Sequence, residues 1–306
     1  MSGVRIPVQR DEPLYKYAIE TMEANWGVNG RFPGCQPISI EYKHFDTLKK
    51  YDYLVCEKTD GVRYMMIAFL FEGEKVCVFI NRALDMFKCP INFKKSVYNL
   101  TIAEGELYGD HFMIYDILTS CGVIVGHFDF LTRLQHCEEL ASKAITMKND
   151  TVKLKVKTFH ILQEYEKFLN EYLPTVTQEI DGLIFTPVNC TVQTGTHEYM
   201  FKWKPLHKNT IDFQLKYEHN KWRMYVQEKG NLVFESEIPP DKHFDYSLLQ
   251  ENAIVECEYK PNDTPMWWKP LMLRPDKTYP NSRKTFYRTL VNIKEDIDIK
   301  DFLKCT

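Results

Sequence analysis

A change of texture at Lys204-Pro205 limits the fold more than any other feature of this chain. Before it, short runs rich in β-branched and aromatic residues are interleaved with stretches of helical periodicity; after it, apolar and polar residues simply alternate. In the first part Tyr53–Cys56, Val62–Phe71, Val76–Ile80, Thr101–Leu107, His111–Leu118, Gly182–Thr186 and Glu198–Trp203 are bounded by Gly, Asp, Asn or Pro and read as strands. Leu14, Tyr17, Ala18 and Met22 recur at helical spacing, as do the apolar residues of Leu131–Ala144 and Ile161–Leu173, with Asp129 and His160 near the expected starts. Grouped strands with interspersed helices favour an α+β domain over a regular βαβ repeat. In the second part Thr210–Lys216, Lys221–Gln227, Leu232–Glu237 and Ala253–Tyr259 surround turn signals at His219-Asn220 and Gly230-Asn231, the pattern of a small all-β barrel. Helical spacing returns from Ser282 to Lys304 through Phe286, Leu290, Ile293, Ile297 and Phe302.

Composition narrows the class. The 306 residues are 44% hydrophobic and 26% charged, as in ordinary globular chains of about two domains. No run approaches the roughly 18 apolar residues of a membrane span, and the N-terminal MSGVRIPVQRDE lacks the pattern of a signal peptide, so a soluble intracellular protein with no membrane partner is expected. Nine cysteines without a CxxC pair suggest neither a disulfide framework nor a zinc site. A net charge of −3 supplies no global field for nucleic acid, and any such affinity must come from a local cluster of cations.

Five short motifs carry chemistry. Glu57-Lys58-Thr59-Asp60-Gly61-Val62-Arg63 places a lysine and an arginine either side of an Asp-Gly turn signal, which reads as a hairpin-like connection; alone, Lys-x-Asp-Gly is better taken as a plain β-turn. Ala103-Glu104-Gly105-Glu106-Leu107 sets two carboxylates on one strand face, and Glu179-Ile180-Asp181-Gly182 sets acid at a strand entrance; either could be a solvated strand end, but if buried each needs a cation. In Phe201-Lys202-Trp203-Lys204-Pro205 two lysines share a face, which is unfavourable unless anions meet them, though a lone Lys-Trp-Lys usually keeps an edge strand soluble. Leu273-Arg274-Pro275-Asp276-Lys277 on its own would be a solvated loop.

In this order and spacing the five motifs resemble the covalent nucleotidyltransferases, the superfamily of mRNA capping guanylyltransferases and polynucleotide ligases. The likeness is greatest to the capping branch, through Arg31-Phe32-Pro33-Gly34-Cys35-Gln36-Pro37-Ile38-Ser39, Arg63-Tyr64-Met65-Met66, and Arg274-x-Asp276-Lys277 followed by Pro280-Asn281. The resemblance implies an ATP-grasp-like, ligase-type nucleotidyltransferase domain with antiparallel sheets and flanking helices over 1–207, an OB-fold barrel over 208–284, and a helix over 285–306 packing back on the first domain. It also implies roles. Lys58 would be the nucleophile, with Thr59 and Asp60 beside the nucleotide; Arg63 and Arg82 would hold the ribose and nearby groups. Glu106 would contact the sugar or support a metal, which Asp181 would help to place. Tyr115, which is otherwise a core aromatic between Ile114 and Asp116, would stack on the purine, and Lys157 would contact guanine. Lys202 and Lys204 would bind the α-phosphate region, and Arg274, Asp276 and Lys277 the β- and γ-phosphates from a mobile barrel.

The implied reaction carries GMP from GTP on a lysine to the 5′-diphosphate end of RNA, with Mg2+ or Mn2+. Lys58 must attack as the neutral amine, and a setting of phosphate-binding cations would disfavour its charge. A separate RNA triphosphatase and cap methyltransferase are expected partners, with RNA polymerase a further candidate. The expected location is nuclear for a cellular source and cytoplasmic or a viral factory for a viral one. One position departs from the family: Met272 stands where capping enzymes often carry a second arginine, so either one phosphate contact is missing or another residue such as Lys269 supplies it. Two rivals stay open, an RNA or DNA ligase carrying AMP on the same lysine and an inactive relative that only binds nucleotide or RNA.

Overall fold

The computed structural model describes residues 6–89, 91–145 and 152–306, which leaves the first five residues of the N-terminal stretch outside the description. The chain divides into two compact units, Met1–Ile38, Asp46–Lys202 and Cys305–Thr306 forming the first, Ser39–Phe45 and Trp203–Lys304 the second.

The first unit contains, in chain order, α1 (Pro13–Trp26), β1 (Tyr53–Thr59), β2 (Val62–Phe71), β3 (Glu74–Ile80), β4 (Thr101–Tyr108), β5 (His111–Ser120), α2 (Phe130–Ser142), β6 (Lys153–Val156), β7 (Ile180–Pro187) and β8 (Thr196–Trp203). An eight-stranded sheet runs in the order Ile6–Val8, Met86–Lys88, β3, β2, β4, β5, Val123–Ile124, with β6 added parallel to β5. A five-stranded sheet runs His160–Ile161, β1, β7, β8, Gln36–Ser39. The larger sheet is covered on both faces, which explains why β2 reads as an unbroken apolar run from Tyr64 onward. Met65, Ile67 and Phe69 pack with Leu14, Ala18 and Met22 of α1. Tyr64, Met66 and Ala68 turn the other way, into a cluster with Phe112, Ile114 and the α2 residues Cys137 and Leu140.

Helix α2 starts where expected, Asp129 accepting the backbone N–H of Thr132 at 2.9 Å. From α2, Arg133 points inward: its Nε donates to Asp116 Oδ1 at 2.7 Å, and its Nη1 reaches the carbonyls of both Phe128 and Cys190. The helix expected over Ile161–Leu173 is present but irregular, passing from a 3-10 turn (Leu162–Glu164) through a short α segment (Tyr165–Lys167) and a π turn (Phe168–Tyr172) to a last 3-10 turn (Leu173–Thr175). Ring packing of Tyr165 on Phe168 and of Phe168 on Tyr172, at 5.7 and 5.6 Å, sets its winding, and Pro174 denies the last turn a donor.

The second unit holds β9 (Thr210–Glu218), β10 (Lys221–Glu228), β11 (Asn231–Glu237), β12 (Ile254–Lys260), β13 (Trp267–Leu273) and α3 (Arg283–Glu295). The sheet order β11-β10-β9-β12-β13, antiparallel throughout, is that of an OB-fold, and among the described residues no ladder joins the two end strands. The sequence pattern anticipates four of these strands; the fifth, β13, hides behind Trp267-Trp268-Lys269-Pro270, which has no alternation. Its two tryptophans are buried with Phe213, Met224, Val255 and, from α3, Phe286. Ser282 caps α3, Asp296 ends it in the left-handed conformation at φ 43°, and a 3-10 run over Ile299–Cys305 follows. Trp203 donates its indole N–H to the Ile297 carbonyl at 2.8 Å. All nine cysteines are free, and no described helix is long and apolar enough to cross a membrane.

Arg133 is 1% exposed and answers Asp116 with paired hydrogen bonds at 2.7 and 3.1 Å. Removing one partner of a buried pair strands the other charge, so Arg133→Met should lower unfolding free energy by about 3 kcal/mol in urea titration. A loss within the error of the titration would mean that Asp116 finds solvent unaided.

Candidate active site

Strand β1 is buried almost throughout, and its last residues are polar: Glu57 and Thr59 point to one face and Lys58 to the other. β1 pairs antiparallel with β7, Lys58 opposite Gly182 and Thr59 opposite Ile180, so Asp181 is an extra residue in a bulge. Gly182 follows at φ 138°, a conformation that disfavours any residue with a Cβ. The bulge aims Asp181 at the lysine, and Lys58 Nζ donates to Asp181 Oδ2 at 2.7 Å with side-chain exposures of 26% and 10%. The nearest neighbour of this amine is therefore a carboxylate, where the sequence suggested a setting of cations.

Asp60-Gly61 does not make the hairpin its sequence suggests, because β1 and β2 belong to different sheets. It is the crossover between them. A Cβ on Gly61 would come within 2.6 Å of Glu106 Cγ and 2.9 Å of the Leu107 carbonyl, so only glycine lets the backbone pass. Glu106 of β4 holds the crossover from both sides, accepting the Thr59 hydroxyl and, at 3.3 Å, the Gly61 N–H. Asp60, between them, is exposed.

Arg63 opens β2 opposite Glu106, yet its guanidinium runs diagonally to Glu104 at 2.7 Å and donates to the Cys35 carbonyl at 2.6 Å. It lies 5.4 Å from the Phe32 ring and 5.9 Å from that of Tyr115. Burial pushes the Glu104 carboxyl up and Arg63 draws it partly back, burial being the larger effect. Burial likewise raises the Cys35 thiol, to about 12, ahead of the nearby charge of Glu104. Tyr115 is the extra residue of a second bulge, since Glu104 pairs with Asp116 and Gly105 with Ile114. It is half-buried, so the plain core-aromatic reading does not describe it. Arg82 follows β3 and is exposed. The surrounding protein first, and then Arg63, hold its pKa below the usual arginine range.

Lys157 is buried, its ammonium 3.1 Å from the Thr59 hydroxyl and 3.4 Å from Glu57. Thus Lys58, Thr59, Arg63, Glu106, Tyr115, Lys157 and Asp181 come together within the first unit, and Arg82 shares their electrostatic field. Lys202 lies on β8, next to β7 in the sheet, and is half-buried. Lys204, Arg274, Asp276 and Lys277 belong to the second unit. There Arg274 grips Asp276 at 2.9 and 2.8 Å and reaches Asp212 at 3.1 Å and Glu256 at 2.8 Å, while Lys277 lies 3.7 Å from Asp212. This is a built cluster and not the solvated loop its local sequence suggests. Sequence reasoning missed Glu57 as a site residue; the available signal was an acid adjoining Lys58 at the end of an apolar strand.

The family profile described as mRNA capping enzyme, catalytic domain, matches residues 1–206, and that described as mRNA capping enzyme, C-terminal domain, matches residues 208–303. The mRNA-capping enzyme subunit alpha of Schizosaccharomyces pombe is 28% identical over 89% of this chain and 79% of its own length. The mRNA-capping enzyme of Danio rerio is 28% identical over 86% of this chain, which spans 47% of that protein. Among solved structures, mycobacterial DNA ligase D complexed with ATP and MES aligns at a TM-score of 0.45 and 14% identity, covering 81% of this chain and 96% of that one, too distant a likeness to bear on substrate.

Gly61→Ala tests the crossover. Its Cβ must push Glu106 or the β4 backbone aside and shift Thr59 and Lys58, and displacements of about 1 Å at a reacting centre cost on the order of 100-fold in rate. The variant should fold, by circular dichroism, and lose covalent nucleotide labelling by about that factor; wild-type labelling would show that the crossover tolerates the methyl group.

Proposed function

The chain belongs to the mRNA capping enzyme family, and on that premise we propose that it takes GMP from GTP onto Lys58 and passes it to the 5′-diphosphate end of RNA. The observation that carries this reading is the Lys58 amine, partly exposed and fixed 2.7 Å from the bulge carboxylate Asp181, at the strand end where Thr59, Glu106 and Lys157 converge.

In the first step the lone pair of neutral Lys58 Nζ forms a bond to the α-phosphorus of GTP as the bond to the bridging oxygen breaks, and pyrophosphate leaves with that electron pair. Asp181 holds the amine in place until then and is the nearest base to its departing proton. In the second step a terminal oxygen of the RNA 5′-diphosphate attacks the same phosphorus, the P–N bond breaks, and Lys58 is restored with the GpppN cap formed. Tyr115 offers its ring to the purine and Lys157 a donor to guanine O6. Arg63 and Arg82 face the ribose side, with Thr59 and Asp60 flanking the nucleotide. Lys202 and Lys204 are assigned to the α-phosphate, where spreading charge needs cations. Arg274, Asp276 and Lys277 are assigned to the triphosphate tail.

A divalent metal fits the donor set in one way. Among the described residues no group of three or more His, Cys, Asp or Glu side chains is placed to hold a metal ion by itself, and Glu106 and Asp181 are hard oxygen donors, which suits Mg2+ or Mn2+ carried largely by the nucleotide's phosphates. When bound, the metal would neutralise phosphate charge. The Schizosaccharomyces pombe relative is named as an alpha subunit, and we extend the reading to partners: the RNA triphosphatase that must supply the 5′-diphosphate and the methyltransferase that modifies the cap act from other catalytic domains.

Incubation with α-labelled GTP or ATP followed by denaturing electrophoresis is the direct test. GTP should leave an acid-labile, alkali-stable label, absent from Lys58→Ala. Lys58→Arg should be equally unlabelled, because a guanidinium stays protonated. Labelling by ATP alone would identify a ligase, and no label from either nucleotide with Mg2+ or Mn2+ would leave a binding protein.

A further inference from the structure

On the face of β1 opposite the nucleophile, both oxygens of buried Glu57 are engaged. Lys157 Nζ lies 3.4 Å from Oε1, and the Tyr172 hydroxyl donates to Oε2 at 3.2 Å. Burial first, and then the charge of Glu57, push the Tyr172 hydroxyl up to about 12, so it remains a donor across the neutral range. The same Lys157 ammonium donates to Thr59 Oγ1 at 3.1 Å, and Thr59 in turn donates to Glu106. At its backbone Lys157 is pinned by a 2.8 Å hydrogen bond to the Ile114 carbonyl, beside the bulge that presents Tyr115. Lys157 therefore joins the two sheets at the point where a stacking ring and a donor meet.

An ammonium has three protons, and Glu57 and Thr59 account for two. We propose that Glu57 is a positioning residue for base choice: it fixes the charge and direction of Lys157 so that the third proton meets an acceptor oxygen on the purine. Guanine presents O6 there and adenine an amino group, so a lysine held as a pure donor accepts one base and rejects the other. Deprived of its carboxylate, a buried ammonium either turns away or neutralises, and a neutral amine accepts from adenine as readily as it donates to guanine. This inference rests on Lys157 being the base contact, as assigned above.

The test compares kcat/KM for lysine–nucleotide formation with GTP and with ATP in Glu57→Gln, Tyr172→Phe and Lys157→Ala. In Glu57→Gln the preference for GTP should fall by roughly tenfold or more, the loss expected when a hydrogen-bonding base site is disordered. Tyr172→Phe, which removes one hydroxyl and keeps the ion pair, should move the ratio the same way by a smaller factor. It decides the matter if Glu57→Gln does not fold. Equal losses with both nucleotides, leaving the ratio unchanged, would reduce Glu57 to scaffold and overturn the proposal. If Lys157→Ala also keeps the wild-type ratio, the base-contact assignment itself fails; if Lys157→Ala alone abolishes the preference, only the role given to Glu57 does.

Discussion

The first unit depends on the grip of Glu106 on the crossover between its two sheets. A chain that leaves a strand in one sheet and enters a strand of another exposes backbone donors at the corner, and a buried corner must satisfy them. Glu106 does so by accepting the Gly61 N–H and the Thr59 hydroxyl together. That grip sets where β1 ends, hence where Lys58 stands, and it requires glycine at 61 because the carboxylate and the β4 backbone occupy the space a side chain would need. The Lys-x-Asp-Gly sequence is thus a sheet-to-sheet passage whose geometry belongs to the site.

Around this corner, among the described residues, stand ion pairs with little solvent access: Arg63 with Glu104, Lys157 with Glu57, and Arg133 with Asp116. Desolvating such charges costs several kcal/mol per ion, and attraction returns that only when geometry is good and the remaining donors are satisfied. Arg133 meets the condition, with carbonyl partners for the nitrogen that Asp116 leaves. Arg63 meets it less well, since its Nε and Glu104 Oε1 are buried without hydrogen-bond partners. The poorer satisfaction falls at the pair that lies against Tyr115, nearest the proposed nucleotide, and the better satisfaction falls behind it, where α2 secures the Tyr115 bulge through Asp116. The unpartnered polar atoms of these pairs thus lie at the site, and the fully satisfied pair lies in its support.

Much of this was legible in the sequence, and what was not has a common cause. β2 was readable to its last residue because burial on both faces leaves an unbroken apolar run from Tyr64 onward. β1 was readable only to Cys56, because Glu57, Lys58 and Thr59 are polar residues inside a strand, tolerated through partners some 50 to 120 positions away. No local pattern encodes those partners. The same reason explains the Asp-Gly pair, a reliable turn signal overruled by the sheets that claim its two flanks, and the bulges at Asp181 and Tyr115, where one inserted residue re-aims a side chain without altering composition. The five motifs could be ordered and matched to a family from sequence; which carboxylate meets which cation could not.

The second unit applies the same logic to Arg274. Four hydrogen bonds to Asp276, Asp212 and Glu256 take up most of the five donors of a guanidinium, and burial raises the Asp212 carboxyl in spite of Arg274 and Lys277 beside it. An anion approaching Arg274 must therefore compete with three carboxylates already in place. Lys277 is exposed, and Asp212 lies 3.7 Å from its ammonium, near the limit of an ion pair. Within the Arg-x-Asp-Lys sequence Arg274 ties the segment to three carboxylates, and Lys277 is the more exposed of the two cations.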